Sequence, residues 1–139
     1  ETLCSSSLSI ISVQGVNLSG TVPACFGQLP LTFVGLYGPS PALHGDLAPL
    51  LQMDSLLILL LTDLGFNSSF PEELSNRTTL TALRVPGNRL RGTLPDLSRL
   101  VNLEELDVSN NLLTGASALG DAGIAGTGLN INFQGNAMS

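Results

Sequence analysis

Few residues of this 139-residue chain are of types and at spacings that could support catalysis or metal binding. The single histidine, His44, has no cysteine nearby and no serine or acid at a recognisable catalytic spacing. The carboxylates of Asp46, Asp54 and Asp63 are scattered without the spacing of a metal-binding loop. Two cysteines are too few to form a zinc site by themselves. The sequence therefore predicts no catalytic residue, no metal, no cofactor and no enzyme.

The composition argues against several classes of partner. Charged residues make up 12% of the chain, about half of the usual share of about 25%. Eleven acids against five basic residues, all arginines, give a net charge of −6, whereas a nucleic-acid binder needs a basic stripe to neutralise phosphates. The longest apolar run, Leu56 to Leu61, is much shorter than the roughly 20 residues of a membrane span. We therefore expect neither nucleic-acid binding nor direct membrane insertion.

A repeat of 23 to 25 residues organises the chain. The clearest copy runs from Leu80 to Pro95 and reads L-x-x-L-x-L-x-x-N-x-L-x-G-x-[ILV]-P, and the next copy begins at Leu103. This pattern resembles the plant-type leucine-rich repeat found in the ectodomains of receptor-like kinases and in polygalacturonase-inhibiting proteins, and it is similar to repeats of protist surface proteins. In this frame the asparagine position falls at Val16, Pro41, Leu64, Asn88, Asn111 and Asn136.

The resemblance implies an α/β-type repeat solenoid, a right-handed superhelix with a parallel β-sheet on its concave face. Irregular or 3-10 segments are expected on the convex face. Residues 1–7 would end an N-terminal cap, and residues 8–139 would form about six coils, the last incomplete: 8–30, 31–53, 54–77, 78–100, 101–125 and 126–139. In coil two, Gly38 at an inward position, together with Pro39 and Pro41, predicts a short or bent strand.

Cys4 and Cys25 lie 21 residues apart, close to the length of one coil. Adjacent layers about 4.8 Å apart match the separation that a disulfide tolerates. One interpretation is therefore a Cys4–Cys25 bridge that fixes the cap to coil one. The alternative, which the family resemblance implies, is that Cys4 pairs with a cysteine upstream of Glu1. The spacing leaves both interpretations open.

Three N-glycosylation sequons begin at Asn17, Asn67 and Asn76. In the repeat frame all three lie in turns or on the convex side. Glycans at these positions would leave the concave sheet free and cover a surface that carries little charge. Together with the cysteines, the sequons predict an extracellular protein, either secreted or at the cell surface.

The outward positions of the strands form the candidate binding surface. We predict an exposed apolar cluster on coils two and three, beside Arg84 and an acidic edge. Exposed apolar clusters with polar rims commonly mark interaction sites. The predicted binding residues are Val34, Tyr37, Leu57, Ile58, Leu60, Arg84, Glu105 and Asp107.

The resemblance implies a non-catalytic extracellular recognition module that binds a protein, peptide or glycan on its concave face. The alternative is a structural subunit of an extracellular matrix, cell wall or surface filament that associates with itself through uncapped ends. Neither an initiator methionine at Glu1 nor a C-terminal cap before Ser139 is visible. We therefore interpret the chain as a mature protein or a fragment.

Overall fold

The computed structural model describes residues 7–14, 17–116 and 129–137, which form a solenoid of stacked coils. The strands in these ranges are β1 (Ile10–Gln14), β2 (Phe33–Gly45), β3 (Ile58–Phe66), β4 (Ala82–Arg84), β5 (Arg91–Leu94), β6 (Glu105–Asp107), β7 (Leu112–Ala116) and β8 (Asn130–Asn132). One strand from each coil joins a six-stranded parallel sheet in the order β1-β2-β3-β4-β6-β8. Strands β5 and β7 form a second, two-stranded parallel sheet on the flank. The predicted solenoid with a parallel sheet is confirmed.

Short helices line the opposite, convex side. Within the described ranges they are two 3-10 helices, Ala24–Gln28 and Glu72–Asn76, and a single α-helical turn, α1 (Ala48–Leu51). Prolines cap both 3-10 helices, and α1 has a proline in its first turn. A proline costs little there because the first backbone N–H groups of a helix have no partner within it. No helix in the described ranges has the length and apolarity that crossing a membrane requires.

The core consists of leucine and valine side chains stacked from one coil to the next. Parallel pairing sets Leu59 beside Leu83 and Leu83 beside Leu106, and all three are buried. Leucines of the convex wall close the core from the other side, including the fully buried Leu51 and Leu74. Burying each such side chain contributes about 1.5–3 kcal/mol. Stacking, rather than any one coil, therefore holds the fold together.

A ladder of asparagines connects the bends that follow the strands. The side-chain nitrogen of Asn111 donates to the backbone oxygens of Val85, Val108 and Ser109, at 2.9 to 3.0 Å. Its Oδ1 accepts the N–H of Leu90 at 3.0 Å. The three oxygens also accept from Asn88, Asn136 and the N–H of Gly87, whereas the buried N–H of Leu90 is satisfied by Asn111 at a point where no strand pairing reaches it. Asn88 and Asn136 make the corresponding bonds.

Coil two departs from its neighbours because its bend is longer. Seven positions separate Leu36 from Leu43 there, whereas five separate Val85 from Leu90 in coil four. The two extra residues produce irregular pairing between β2 and β3 at Ser40. Of the two predicted alternatives, a short or a bent strand, the first was wrong, because β2 spans 13 residues, and the irregular pairing inside it agrees with the second.

The bonding role of the asparagine in coil two belongs to Ser40 rather than to Pro41. Ser40 is buried, and its hydroxyl oxygen accepts the N–H of Leu18 at 3.4 Å. The equivalent bond in coil four runs from the N–H of Phe66 to Oδ1 of Asn88 at 3.3 Å. A serine thus supplies part of what an asparagine supplies elsewhere in the ladder.

In coils three to six the backbone adopts a left-handed conformation at the residue two positions after the last inward strand residue. Asp63 and Asn110 adopt this conformation with φ of 56°, and Gly87 and Gly135 with φ of 73° and 77°. Glycine, asparagine and aspartate are the residue types that enter this region most readily. The same residue types are therefore required at the same point of successive coils.

Candidate functional site

The outward side chains of the large sheet form two rows across the concave face. Pairing along the sheet fixes the first row as Ile10, Phe33, Ile58, Ala82, Glu105 and Asn130. The second row, two residues further along each strand, is Ser12, Gly35, Leu60, Arg84, Asp107 and Asn132. The first row is apolar from β1 to β4 and polar at β6 and β8. In the second row, Leu60 on β3 is the one large apolar side chain, and it is followed by Arg84, Asp107 and Asn132.

This register corrects two of the predicted binding residues. Val34 was predicted to be exposed, but it pairs with Ile11 and Leu59 in the inward column and is only 1% exposed. Tyr37 stays on the concave face, but two residues further along the strand than the repeat frame of coil two placed it, because Gly35 lies beside Leu60 and Tyr37 pairs with Thr62. Both errors arise from the longer bend of coil two, which shifted the repeat frame by two residues.

The signal for the correct frame was present in the sequence. Leu31, Val34 and Leu36 satisfy L-x-x-L-x-L without placing a glycine in the core, and all three face inward. That frame puts Phe33 on the concave face, although Phe33 is not among the predicted binding residues. Ile10, which is 60% exposed on β1, is also absent from the predicted set.

The apolar end of the face is defined here as the concave patch: Ile10, Phe33, Tyr37, Leu57, Ile58 and Leu60. Leu57 is 42% exposed, and Ile58 and Leu60 are half-buried. The patch therefore extends over β1, β2 and β3, one strand more than predicted. Contiguous exposed apolar surface on a folded domain commonly marks a contact with a partner.

Two aromatic side chains of the concave patch lie close to the backbone at Gly35. A Cβ atom at Gly35 would lie 2.8 Å from Oη of Tyr37 and 2.9 Å from Cε1 of Phe33. Residues 33, 35 and 37 point to the same side of β2 because side chains alternate along a strand. Because glycine has no side chain, the space beside Gly35 is occupied by atoms of both aromatic side chains. Aromatic side chains are frequent anchors of binding interfaces because they bury a large area at little cost in conformational freedom.

The polar end of the face carries an ion pair and a polar depression. Nε of Arg84 lies 3.9 Å from Oε2 of Glu105, and both side chains are about half exposed. Oδ1 of Asp107 accepts bonds from the N–H and hydroxyl of Ser109, at 3.0 and 2.6 Å. A depression of about 160 Å³ lies among Arg84, Glu105, Leu106, Asp107, Asn130 and Asn132. The predicted residues Arg84, Glu105 and Asp107 are thus close together.

The coil geometry and the asparagine ladder agree with the match to a family model. The model described as Leucine Rich Repeat matches residues 102–121. BRASSINOSTEROID INSENSITIVE 1 of Arabidopsis thaliana is 34% identical over 131 residues, which cover 85% of this chain and 10% of that protein. The chain has the fold of a leucine-rich-repeat solenoid and is similar to this family in sequence.

Solved structures of leucine-rich-repeat receptors superpose on most of this repeat protein. A TDR receptor structure has a TM-score of 0.84 and 28% identity, and covers 99% of this chain and 24% of that one. The plant peptide hormone receptor RGFR1, solved in complex with RGF2, has a TM-score of 0.78 and 28% identity over 94% of this chain and 21% of that one. This leucine-rich-repeat chain spans only 6% and 10% of the length of two curated relatives that it matches.

The cysteines of the leucine-rich-repeat chain are described only in part. Cys25, which lies in the first 3-10 helix, belongs to a disulfide. Cys4 lies outside the described residues, and so the bridge between Cys4 and Cys25 stays a prediction.

The three sequon asparagines are exposed, and none lies on the large sheet. Asn17 and Asn67 follow β1 and β3 at the bend. Asn76 ends the second 3-10 helix, and its Oδ1 accepts a bond from Nη1 of Arg99 at 2.8 Å. The concave face therefore stays free of any glycan attached at these positions, as the sequence analysis expected from the repeat frame.

The remaining titratable groups of the leucine-rich-repeat chain form no reactive cluster in its described ranges. No three side chains of histidine, cysteine, aspartate or glutamate lie close enough there to hold a metal ion. The exposed His44 has Nδ1 2.8 Å from the backbone oxygen of Ala42. The pKa of Asp96 is lowered by hydrogen bonds from the backbone N–H and the side chain of Ser98. This exposed turn on the convex side lies away from the concave patch.

Proposed function

We propose that this leucine-rich-repeat chain is a non-catalytic recognition module whose concave face binds a protein or peptide partner. The observation that carries the proposal is the concave patch, where the side chains of Phe33 and Tyr37 lie close to Gly35 beside exposed apolar side chains. Aromatic anchors surrounded by other apolar side chains and a polar rim are the usual composition of an interface centre.

The concave face is apolar at one end and carries charged and polar side chains at the other. Coils one to three offer apolar side chains, and coils five and six offer Glu105, Asp107 and two asparagines. Arg84 lies between the two ends, and within the described residues its ion pair is the long, exposed one with Glu105. We therefore expect the partner to place apolar side chains on coils one to three. The similar receptor RGFR1, solved with RGF2, supports a peptide or protein as partner rather than a glycan.

The proposal includes an extracellular location, either secreted or at the cell surface. Support comes from the disulfide at Cys25 and from the similarity to receptor ectodomains. The three exposed sequon asparagines fit the same environment because their glycans would leave the concave face open.

The proposal can be tested without knowing the natural partner. Peptides selected from a random display library against the immobilised chain would be titrated into ¹⁵N-labelled protein, and the shifted amide resonances would be mapped. We expect the largest shifts in β2, β3 and β4, around Gly35, Leu60 and Arg84. Selected peptides that shift mainly the convex residues 72–76 and 95–98 would overturn the proposal.

A further inference from the structure

A second candidate contact surface lies along the edge of the large sheet where its strands begin. A groove of about 460 Å³ crosses three coils there and is lined by Leu57, Thr79, Thr81, Val101, Asn102, Leu103 and Glu104. Its volume falls within the range of about 300–1,000 Å³ that is usual for ligand sites. Only Leu57 also belongs to the concave patch, so the groove is a separate surface beside it.

The groove is apolar at both ends. Val101 is 73% exposed and Leu57 is 42% exposed, although both are large hydrophobic side chains. They come from different coils, and the groove between them passes over coil four, where the lining residues are threonines.

The polar side chains of the groove floor already have partners. The hydroxyl of Thr81 donates to the backbone oxygen of Leu57 at 3.0 Å, and that of Thr79 donates to the oxygen of Leu56 at 2.9 Å. The side-chain nitrogen of Asn102 donates to the oxygen of Thr78 at 2.9 Å. These three donors already have hydrogen-bond partners within the protein. An apolar ligand can therefore cover them without leaving a buried donor unpaired, and the free-energy cost of displacing water from the floor is small.

One charged side chain lines the groove. Glu104 is exposed, and no arginine of the chain lies within ion-pairing distance of its carboxylate in the described structure. The nearby Arg84 pairs with Glu105 instead. A partner that fills the apolar part of the groove would thus gain a favourable contact by placing a cation beside Glu104.

We propose that this groove binds a protein segment that carries a large aliphatic side chain followed by a basic residue. The distance from Leu57 in coil three to Glu104 in coil five spans two layers, or about 10 Å at about 4.8 Å per layer. A peptide in the polyproline II conformation rises about 3.1 Å per residue and presents every third side chain on the same face. The groove therefore fits a leucine and an arginine three positions apart, in the pattern Leu-x-x-Arg.

The test uses capped synthetic hexapeptides titrated into the ¹⁵N-labelled chain. The probe is acetyl-Gly-Leu-Gly-Gly-Arg-Gly-amide, and the control peptides carry serine in place of leucine or glutamate in place of arginine. We expect the probe to shift the amide resonances of Thr79, Thr81, Asn102 and Glu104. Binding of each control peptide should be at least threefold weaker.

A pair of matched variants separates the groove from the rest of the surface. Val101→Asp should weaken binding of the probe at least fivefold, whereas Leu112→Asp, at a residue 56% exposed on the other flank, should leave it unchanged. Shifts that survive Val101→Asp, or no shifts at these amides, would overturn the groove proposal. Neither result would count against the concave patch, because peptides that bind there shift β2 to β4 instead.

Discussion

Oδ1 of Asn111 accepts the backbone N–H of Leu90 in the preceding coil at 3.0 Å, and both residues are buried. The same amide donates to carbonyl oxygens of both coils. One side chain thus connects two layers at a bend where no strand pairing is available.

Replacing Asn111 by alanine should therefore destabilise the fold more than the same change at Asn136. Asn136 makes equivalent bonds but is only half-buried, so water can replace part of what is lost. Leaving buried polar groups unpaired costs about 1–3 kcal/mol. We expect a loss of about 3 kcal/mol in the free energy of unfolding for Asn111→Ala and about 1 kcal/mol for Asn136→Ala, measured by urea unfolding. Equal losses would contradict the role assigned to burial.

Two glycines with positive φ provide a second pair of matched substitutions. Gly20 and Gly87 both have positive φ, but a Cβ at Gly20 would meet nothing within 4 Å, whereas one at Gly87 would collide with Asp63. Gly20→Ala should cost about 1–2 kcal/mol for the backbone conformation alone. Gly87→Ala should cost at least about 1 kcal/mol more because of the added crowding. Thermal and urea unfolding of the two variants measure the difference, and a smaller loss at Gly87 would show that Asp63 moves aside freely.

The carboxyl group of Asp96 should titrate below the ordinary aspartate pKa of 3.8. Because its pKa is lower in the folded than in the unfolded chain, its contribution to stability is present above pH 3.8 and is lost as the pH falls through the folded pKa. Ser98→Ala should raise the pKa towards the ordinary value, and Ser98→Thr, which keeps the hydroxyl, should change it less. Titration of the Asp96 side-chain carbon resonance by NMR measures both effects. No rise in Ser98→Ala would mean that the backbone N–H alone lowers the pKa.

Expression in a eukaryotic secretory host should yield a glycosylated chain. All three sequon asparagines are exposed, and we expect glycans at Asn17 and Asn67 more fully than at Asn76, whose side chain is held by Arg99. Peptide mapping before and after glycosidase treatment measures the occupancy of each site. Arg99→Ala should raise the occupancy of Asn76, and an unchanged value would rule out the arginine as the cause.

The spacing of the repeat predicted the fold because stacked coils require inward leucines and the asparagine ladder at fixed positions. It predicted Leu57, Ile58, Leu60, Arg84, Glu105 and Asp107 on the concave face for the same reason. It placed the buried Val34 on the surface and shifted Tyr37 by two residues, because the repeat frame of coil two was aligned on Gly45, which lies beyond a bend with two extra residues. The inward frame of Leu31 and Val34 would have avoided the error. The approach of the Phe33 and Tyr37 side chains to Gly35 depends on side-chain packing, which the spacing of residues in the sequence does not describe.

The most direct test of the concave-face proposal compares two surface substitutions with the same selected peptide. Leu60→Glu places a charge in the concave patch, whereas Leu112→Glu places it at an exposed leucine on the flank. Isothermal titration calorimetry should show Kd at least tenfold weaker for Leu60→Glu, which corresponds to about 1.4 kcal/mol, and unchanged for Leu112→Glu. Both variants must retain the unfolding midpoint of the natural chain to within a few degrees. Equal affinity of Leu60→Glu and the natural chain would contradict the proposal that the concave face binds the partner.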